Sequence, residues 1–187
     1  QNFGIVDQKM RSLSEVEQIR ESSEIYIISS QTDHNNTKIR ENKLDIKSLV
    51  DEKQGLEQWK PILKAEFPLD ADQVKDIFHA LNVEPPKFQE KEINPKYFVE
   101  NMARMHDQLV PVHVFKRRFA FSINGCIAEM ADVYVNGAFV KTASLESTDT
   151  EAIIEAKSMV FLNEYENINY LKAIKRIIGM DPETIKF

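Results

Sequence analysis

An α+β fold built on antiparallel strands is what this sequence predicts, on three observations. Two Asn-Gly pairs, Asn124-Gly125 and Asn136-Gly137, each stand between runs rich in Val, Ile, Phe and Tyr; Asn-Gly is the favoured two-residue hairpin turn because both positions take positive φ. Several segments elsewhere carry capping residues followed by apolar positions three and four apart, the pattern of half-buried helices. With 187 residues, 42% of them apolar, the chain is long enough to bury a sizeable core as a single domain over 1–187, with a helical insertion at about 70–109.

The two Asn-Gly turns define three strands, 112–123, 126–135 and 138–146, forming a meander. A two-residue turn fixes register. Ile123 then faces Cys126, which sets Arg118 opposite Ala131, Lys116 opposite Val133 and Ala120 opposite Glu129. In the second hairpin Val135 faces Ala138, Glu129 faces Ser144 and Ile127 faces Glu146. Since paired residues share a face, Lys116, Arg118, Glu129, Ser144 and Glu146 project from one side. Phe115, Phe119, Phe121, Met130, Tyr134, Phe139 and Leu145 occupy the other, crossed by a charged row of Arg117, Asp132 and Lys141. That apolar side is expected to pack against helices, with Phe119 and Tyr134 shielded.

Upstream, Ser14–Arg20 and Glu24–Ser29 read as two strands. The stretch from Asn36 to Val50 reads as a hairpin turning at Asn42-Lys43, which places Arg40 across from Asp45 and Lys38 across from Lys47. Two opposed lysines repel each other, and a polyanion relieves that repulsion. Among the helices, Asp70 with Gln73 forms a capping box ahead of Val74, Ile77, Phe78 and Leu81. Asn94-Pro95 starts a second helix with Phe98, Met102, Met105 and Leu109 inward. Thr148 with Glu151 starts a third, and a fourth runs from Asn167 through Tyr170, Leu171, Ile174 and Ile178 to Gly179.

Composition excludes several classes. There are 24 basic against 30 acidic side chains, a net charge of −6, so neither a nucleic acid nor an anionic membrane is an expected partner. One cysteine, Cys126, permits no intrachain disulfide, and no zinc-type spacing occurs. No apolar run approaches the roughly 20 residues of a membrane span. The expectation is a cytoplasmic protein, although the chain opens on Gln1 and not on Met.

Lys38, Arg40, Lys47, Lys116 and Arg118, with acidic side chains beside them, suit a polyphosphate and a divalent cation, because magnesium is held by one or two carboxylates plus substrate phosphates. The order of short motifs resembles the CYTH-like, or triphosphate tunnel metalloenzyme, superfamily. These motifs are Glu15-Val16-Glu17, Lys38-Ile39-Arg40, Leu44-Asp45-Ile46-Lys47, Val114-Phe115-Lys116-Arg117-Arg118, and Leu145-Glu146 before a capped helix. The resemblance implies an eight-stranded antiparallel tunnel-like β-barrel with helices packed outside and a linear triphosphate in the lumen. It implies Glu15, Glu17, Glu129 and Glu146 as metal ligands for Mg²⁺ or Mn²⁺, with Glu146 and Glu17 catalytic. It also implies Lys38, Arg40, Lys47, Lys116, Arg118 and Arg20 as substrate-binding residues. Two positions depart from the family pattern: Ile19 stands where a lysine belongs, with Arg20 one place later, and Ser144 stands where the closing pair has its first carboxylate.

The leading expectation is a metal-dependent phosphohydrolase acting on a triphosphate-containing small molecule, with a homodimer open as an assembly. The alternatives are adenylate cyclase-like nucleotide cyclisation, and a non-catalytic polyphosphate- or nucleotide-binding module, which Ile19 and Ser144 favour. Other residues read as structural: His106-Asp107 as a helix-surface pair, His79 and His113 as packing residues, Trp59 as a core or rim anchor, Cys126 as inert, and Asp132 as part of an ion-paired margin.

Overall fold

A computed structural model describes residues 3–180. In chain order the elements are α1 (Gly4–Leu13), β1 (Gln18–Ser29), β2 (Asn35–Arg40), β3 (Lys43–Lys53), β4 (Leu56–Glu66), α2 (Ala71–Ala80), α3 (Pro95–Tyr97) running into a π-helical turn (Phe98–Ala103), β5 (Leu109–Ile123), β6 (Cys126–Val135), β7 (Ala138–Glu146), α4 (Thr150–Met159) and α5 (Tyr170–Ile178). The fold is α+β, with one seven-stranded antiparallel sheet in the order β4-β3-β2-β1-β5-β6-β7.

The strand order has two ends, β4 and β7, and does not close into the expected eight-stranded tunnel. The count differs for local reasons. Ser14–Arg20 forms no strand of its own: α1 ends at Leu13, residues 14–17 form a link, and Gln18 onward merges with the next segment into one twelve-residue β1. The α1 helix lacks a side-chain cap at Phe3, so no start signal marks it in the sequence. Conversely β4 is a strand that was not anticipated. It carries Pro61, which a sheet tolerates on an edge, and its pairing with β3 is interrupted by two register shifts.

Contacts divide the chain into two compact units, Gln1–Ser23 with Phe115–Glu166, and Glu24–Val114 with Asn167–Phe187. In the first, Val6 and Met10 of α1 and Ala156 and Val160 at the end of α4 form a core with Phe121, Ile123, Cys126, Ala128 and Met130. The β6–β7 pairing is the expected one: Val135 faces Ala138, Asp132 faces Lys141, Glu129 faces Ser144 and Ile127 faces Glu146. Asn136 and Gly137 take the positive φ values that the turn requires, 47° and 92°. The apolar side is covered by helices at the Asn124-Gly125 end only. Of the two residues expected to be shielded, Phe119 is half-buried against this core, whereas Tyr134 is 42% exposed and packs on Phe115 and on exposed Phe139. Helix α4 is capped by Asp149, one residue later than expected, its carboxylate accepting from the Glu151 and Ala152 amides.

In the second unit, Ile27, Ile39, Leu44, Ile46 and Ala65 make the inward face of β1–β4. Val74, Ile77 and Phe78 of α2, and Phe98, Val99, Met102 and Ala103 of the π-helical turn, pack against it. The Asp70–Gln73 capping box is present in both directions, and Asn94 caps α3 through the Tyr97 amide. Met105, expected inward, is 74% exposed because the helix has already unwound by Arg104, and Leu109 opens β5 instead. The last helix starts two residues later than expected, with Asn169 accepting from the Lys172 amide, and it ends at left-handed Gly179. It lies against the other face of the strands: Tyr170 stacks on fully buried Tyr26 at 6.0 Å, and Lys175 bridges to Asp33.

Candidate functional site

Pairing places the charged residues of β2 and β3 on one face. Tyr26 faces Lys38, Lys38 faces Asp45 and Asn36 faces Lys47, so Lys38, Arg40, Asp45 and Lys47 project from the side that carries Glu24 and Tyr26. The hairpin turns at Glu41-Asn42, both at positive φ, and Arg40 therefore pairs with Lys43. This moves the turn one residue earlier than expected and shifts the pairing by two, from Arg40 opposite Asp45 to Arg40 opposite Lys43. An even shift preserves which side chains share a face, but it removes the opposed lysines: Lys38 meets a carboxylate across the ladder.

Glu24, which sequence reasoning passed over, sits at the centre of this cluster. It is 2% exposed, and it holds Lys38 Nζ at 3.8 Å and Arg40 Nη1 at 3.6 Å. Burial is the strongest influence on Lys38 and holds its ammonium below the ordinary lysine value. Glu24 pulls it back up, Arg40 and Lys47 push it further down, and Asp45 opposes them. Lys47 and Lys43 are exposed on the same hairpin. A buried carboxylate under two cations is costly to desolvate and is held by their charge.

The other unit holds the remaining expected residues. Arg118 is half-buried and donates through Nη2 to Ser22 Oγ at 2.8 Å. Lys116 is buried, at 4% exposure. Glu129 is half-buried opposite exposed Ser144, and Glu146 is exposed two positions along β7, a diagonal neighbour at about 7 Å between backbones. Glu15 and Glu17 are exposed in the link before β1, where the Glu17 amide donates to the Ala120 carbonyl. Arg20 is exposed near the start of β1. Among the described residues, no three His, Cys, Asp or Glu side chains come together as a metal site. The four carboxylates are thus not a preformed cage. Glu129 and Glu146 remain as a pair that suits an ion completing its shell with substrate oxygens.

The residues read as structural keep that role with some changes of place. Lys141 bonds Asp132 at 2.7 Å, while Arg117 pairs with Glu21. His106 lies beyond the helix, its Nε2 at 3.1 Å from the Glu84 carbonyl and its Nδ1 accepting from the Gln108 amide. His79 and His113 are exposed where packing was expected. Trp59 is half-buried and bonds Glu57, and burial pushes the Cys126 thiol up. No helix among the described residues is long and apolar enough to cross a membrane.

No protein-family model matches this chain, and no curated protein matches it. The chemistry of its side chains therefore carries the functional reading.

Proposed function

We propose that this chain binds a linear triphosphate, inorganic or carried on an organic group, through the cations of β2 and β3. The observation that supports this is the placement of Lys38, Arg40 and Lys47 on one face of a single hairpin, with Lys38 and Arg40 drawn in over buried Glu24. Three cations at strand spacing meet successive phosphoryl groups with charge-assisted hydrogen bonds, which are stronger than neutral ones. The guanidinium of Arg40 supplies planar two-point contact and the two lysines supply compact charge. Lys116 and Arg118 of the other unit are read as phosphate-binding by the same chemistry.

A metal-dependent phosphohydrolase is the second reading, and what favours it is the pair Glu129 and Glu146 on one face of β6 and β7. These two would hold Mg²⁺ or Mn²⁺; the ion, when bound, would supply charge to polarise a phosphoryl oxygen. The protein's own part is to place carboxylates and cations, and Ser144 contributes a hydroxyl beside Glu129. The test is calorimetric binding of tripolyphosphate and ATP, followed by phosphate release from both with magnesium and with manganese. Micromolar binding of tripolyphosphate supports the proposal, and no detectable binding overturns it. Phosphate release selects the second reading, and a cyclic product from ATP would select nucleotide cyclisation.

A further inference from the structure

Among the described residues, Glu24 is the one acidic side chain that is fully buried. It lies near the middle of β1, on the face shared with Lys38 and Arg40, and both cations stand 3.6 to 3.8 Å from its carboxylate oxygens. Those separations exceed a direct hydrogen bond. Glu24 therefore holds the two cations by charge and leaves their N–H groups geometrically available to another acceptor. Arg40 keeps 36% of its side chain exposed and Lys38 19%, so a ligand can reach both from the solvent side while the carboxylate lies beneath.

We propose that Glu24 is an internal counter-anion that competes with the ligand's phosphate for Lys38 and Arg40, and that it sets the affinity of this face. The inference rests on the polyphosphate-binding reading and deepens it. In the empty chain Glu24 performs two tasks of opposite sign. It raises the Lys38 midpoint against the pull of burial, with Arg40 and Lys47 acting in the direction of burial and Asp45 against it. It also repels an incoming anion at short range, where partial burial makes charge–charge energies larger than in water. Removing its charge thus relieves repulsion, while the bound ligand itself supplies negative charge that favours the Lys38 ammonium.

A purely structural Glu24 predicts the reverse, because loss of the residue that gathers the cations would weaken binding. The sign of the effect separates the two. Glu24→Gln, nearly isosteric, should bind tripolyphosphate at least about fivefold more tightly than the parent at low salt and pH 6.5, while Glu24→Asp, which keeps the charge, should bind like the parent. Equal or weaker binding by Glu24→Gln overturns the inference alone, whereas no binding by parent and variant alike sinks the polyphosphate reading and the inference with it. Should Glu24→Gln not fold, the parent decides. Carboxyl-¹³C NMR should show the Glu24 titration midpoint rising when tripolyphosphate saturates the protein, because the ligand draws the two cations away and adds negative charge. An unchanged midpoint overturns the proposal.

Discussion

Lys38 lies directly across the β2–β3 ladder from Asp45, and this pairing offsets part of the positive charge of that face. Opposed lysines would have made repulsion the driving force. With an acidic residue across the ladder and Glu24 at 3.8 Å, the amine is instead partly compensated and partly buried, so the face is assembled before any ligand arrives. Pre-organised charge loses less entropy on binding than charge gathered by the ligand.

Lys38→Ala is therefore expected to weaken tripolyphosphate binding by more than about 1.5 kcal/mol, the lower range for hydrogen bonds to charged groups. Lys141→Ala removes a cation that is engaged with Asp132 and should leave binding unchanged. Thermal shift with tripolyphosphate reads both, since a ligand bound by the native state alone raises apparent stability. Identical ligand-induced shifts in the two variants and the parent would reduce the Lys38 face to a solvated surface.

The depressed Lys38 value also has a pH signature. Its folded-state pKa lies below the ordinary lysine value, with burial as the main cause, so the unfolded chain binds more protons at this position. Stability from this residue rises as pH climbs through the folded pKa towards the unfolded one. Ligand binding runs the other way. An anion favours the ammonium, so affinity for tripolyphosphate should fall as pH rises through the free-protein midpoint of Lys38, with proton uptake on binding in that window. Calorimetry in two buffers of different ionisation enthalpy measures the uptake, and Lys38→Met should abolish it.

Helix caps give a test of local structure that is independent of function. Asp149 accepts from two amides at the start of α4. Asp149→Ala should cost about 1 kcal/mol, and Thr148→Ala, at the position that the sequence pattern had marked as the cap, should cost far less. Asp70→Ala, which breaks the reciprocal box on α2, should cost about as much as Asp149→Ala. Denaturant midpoints at constant slope decide all three.

How far the sequence discloses the structure depends on whether the determining contact is local. A two-residue Asn-Gly turn leaves β6 and β7 no freedom of register, so Glu129 across from Ser144 and Asp132 across from Lys141 are legible in the sequence alone. The β2–β3 turn, read from the sequence at Asn42-Lys43, falls at Glu41-Asn42. Positive φ at both Glu41 and Asn42 settles the matter, and glutamate is not a residue that announces such a turn. Helix α1 carries no capping side chain, and β4 carries a proline that demotes a strand in any local reading. Glu24 was illegible for a different reason. In Glu24–Ser29 it opens a strand, where a glutamate gives no local sign of burial, and Lys38 and Arg40 come to 3.8 and 3.6 Å from it through the β1–β2 pairing. The available signal was parity: Glu24 alternates with Tyr26 and Ile28, so a buried Tyr26 carries Glu24 to the same face.

Metal binding provides the sharpest separation between the two functional readings. With Ser144 across from Glu129 and no three-carboxylate group among the described residues, affinity for magnesium without phosphate should be weak. An ion that keeps much of its water and takes the rest of its octahedron from substrate oxygens binds well only when those oxygens are present. Metal and tripolyphosphate should then show positive coupling, each raising the affinity of the other by the same factor, as linkage requires. Glu146→Gln, nearly isosteric but uncharged, should abolish that coupling. It should leave metal-free tripolyphosphate binding intact or tighter, since it removes a negative charge. Lys116→Ala, in the same unit as Glu146, should do the opposite, weakening tripolyphosphate binding with and without metal. Calorimetric titration of parent and both variants, each with and without magnesium, distinguishes the cases. Coupling lost with Glu146→Gln supports the metal-dependent hydrolase, while the absence of coupling in the parent itself leaves a protein that binds linear triphosphate without a metal partner.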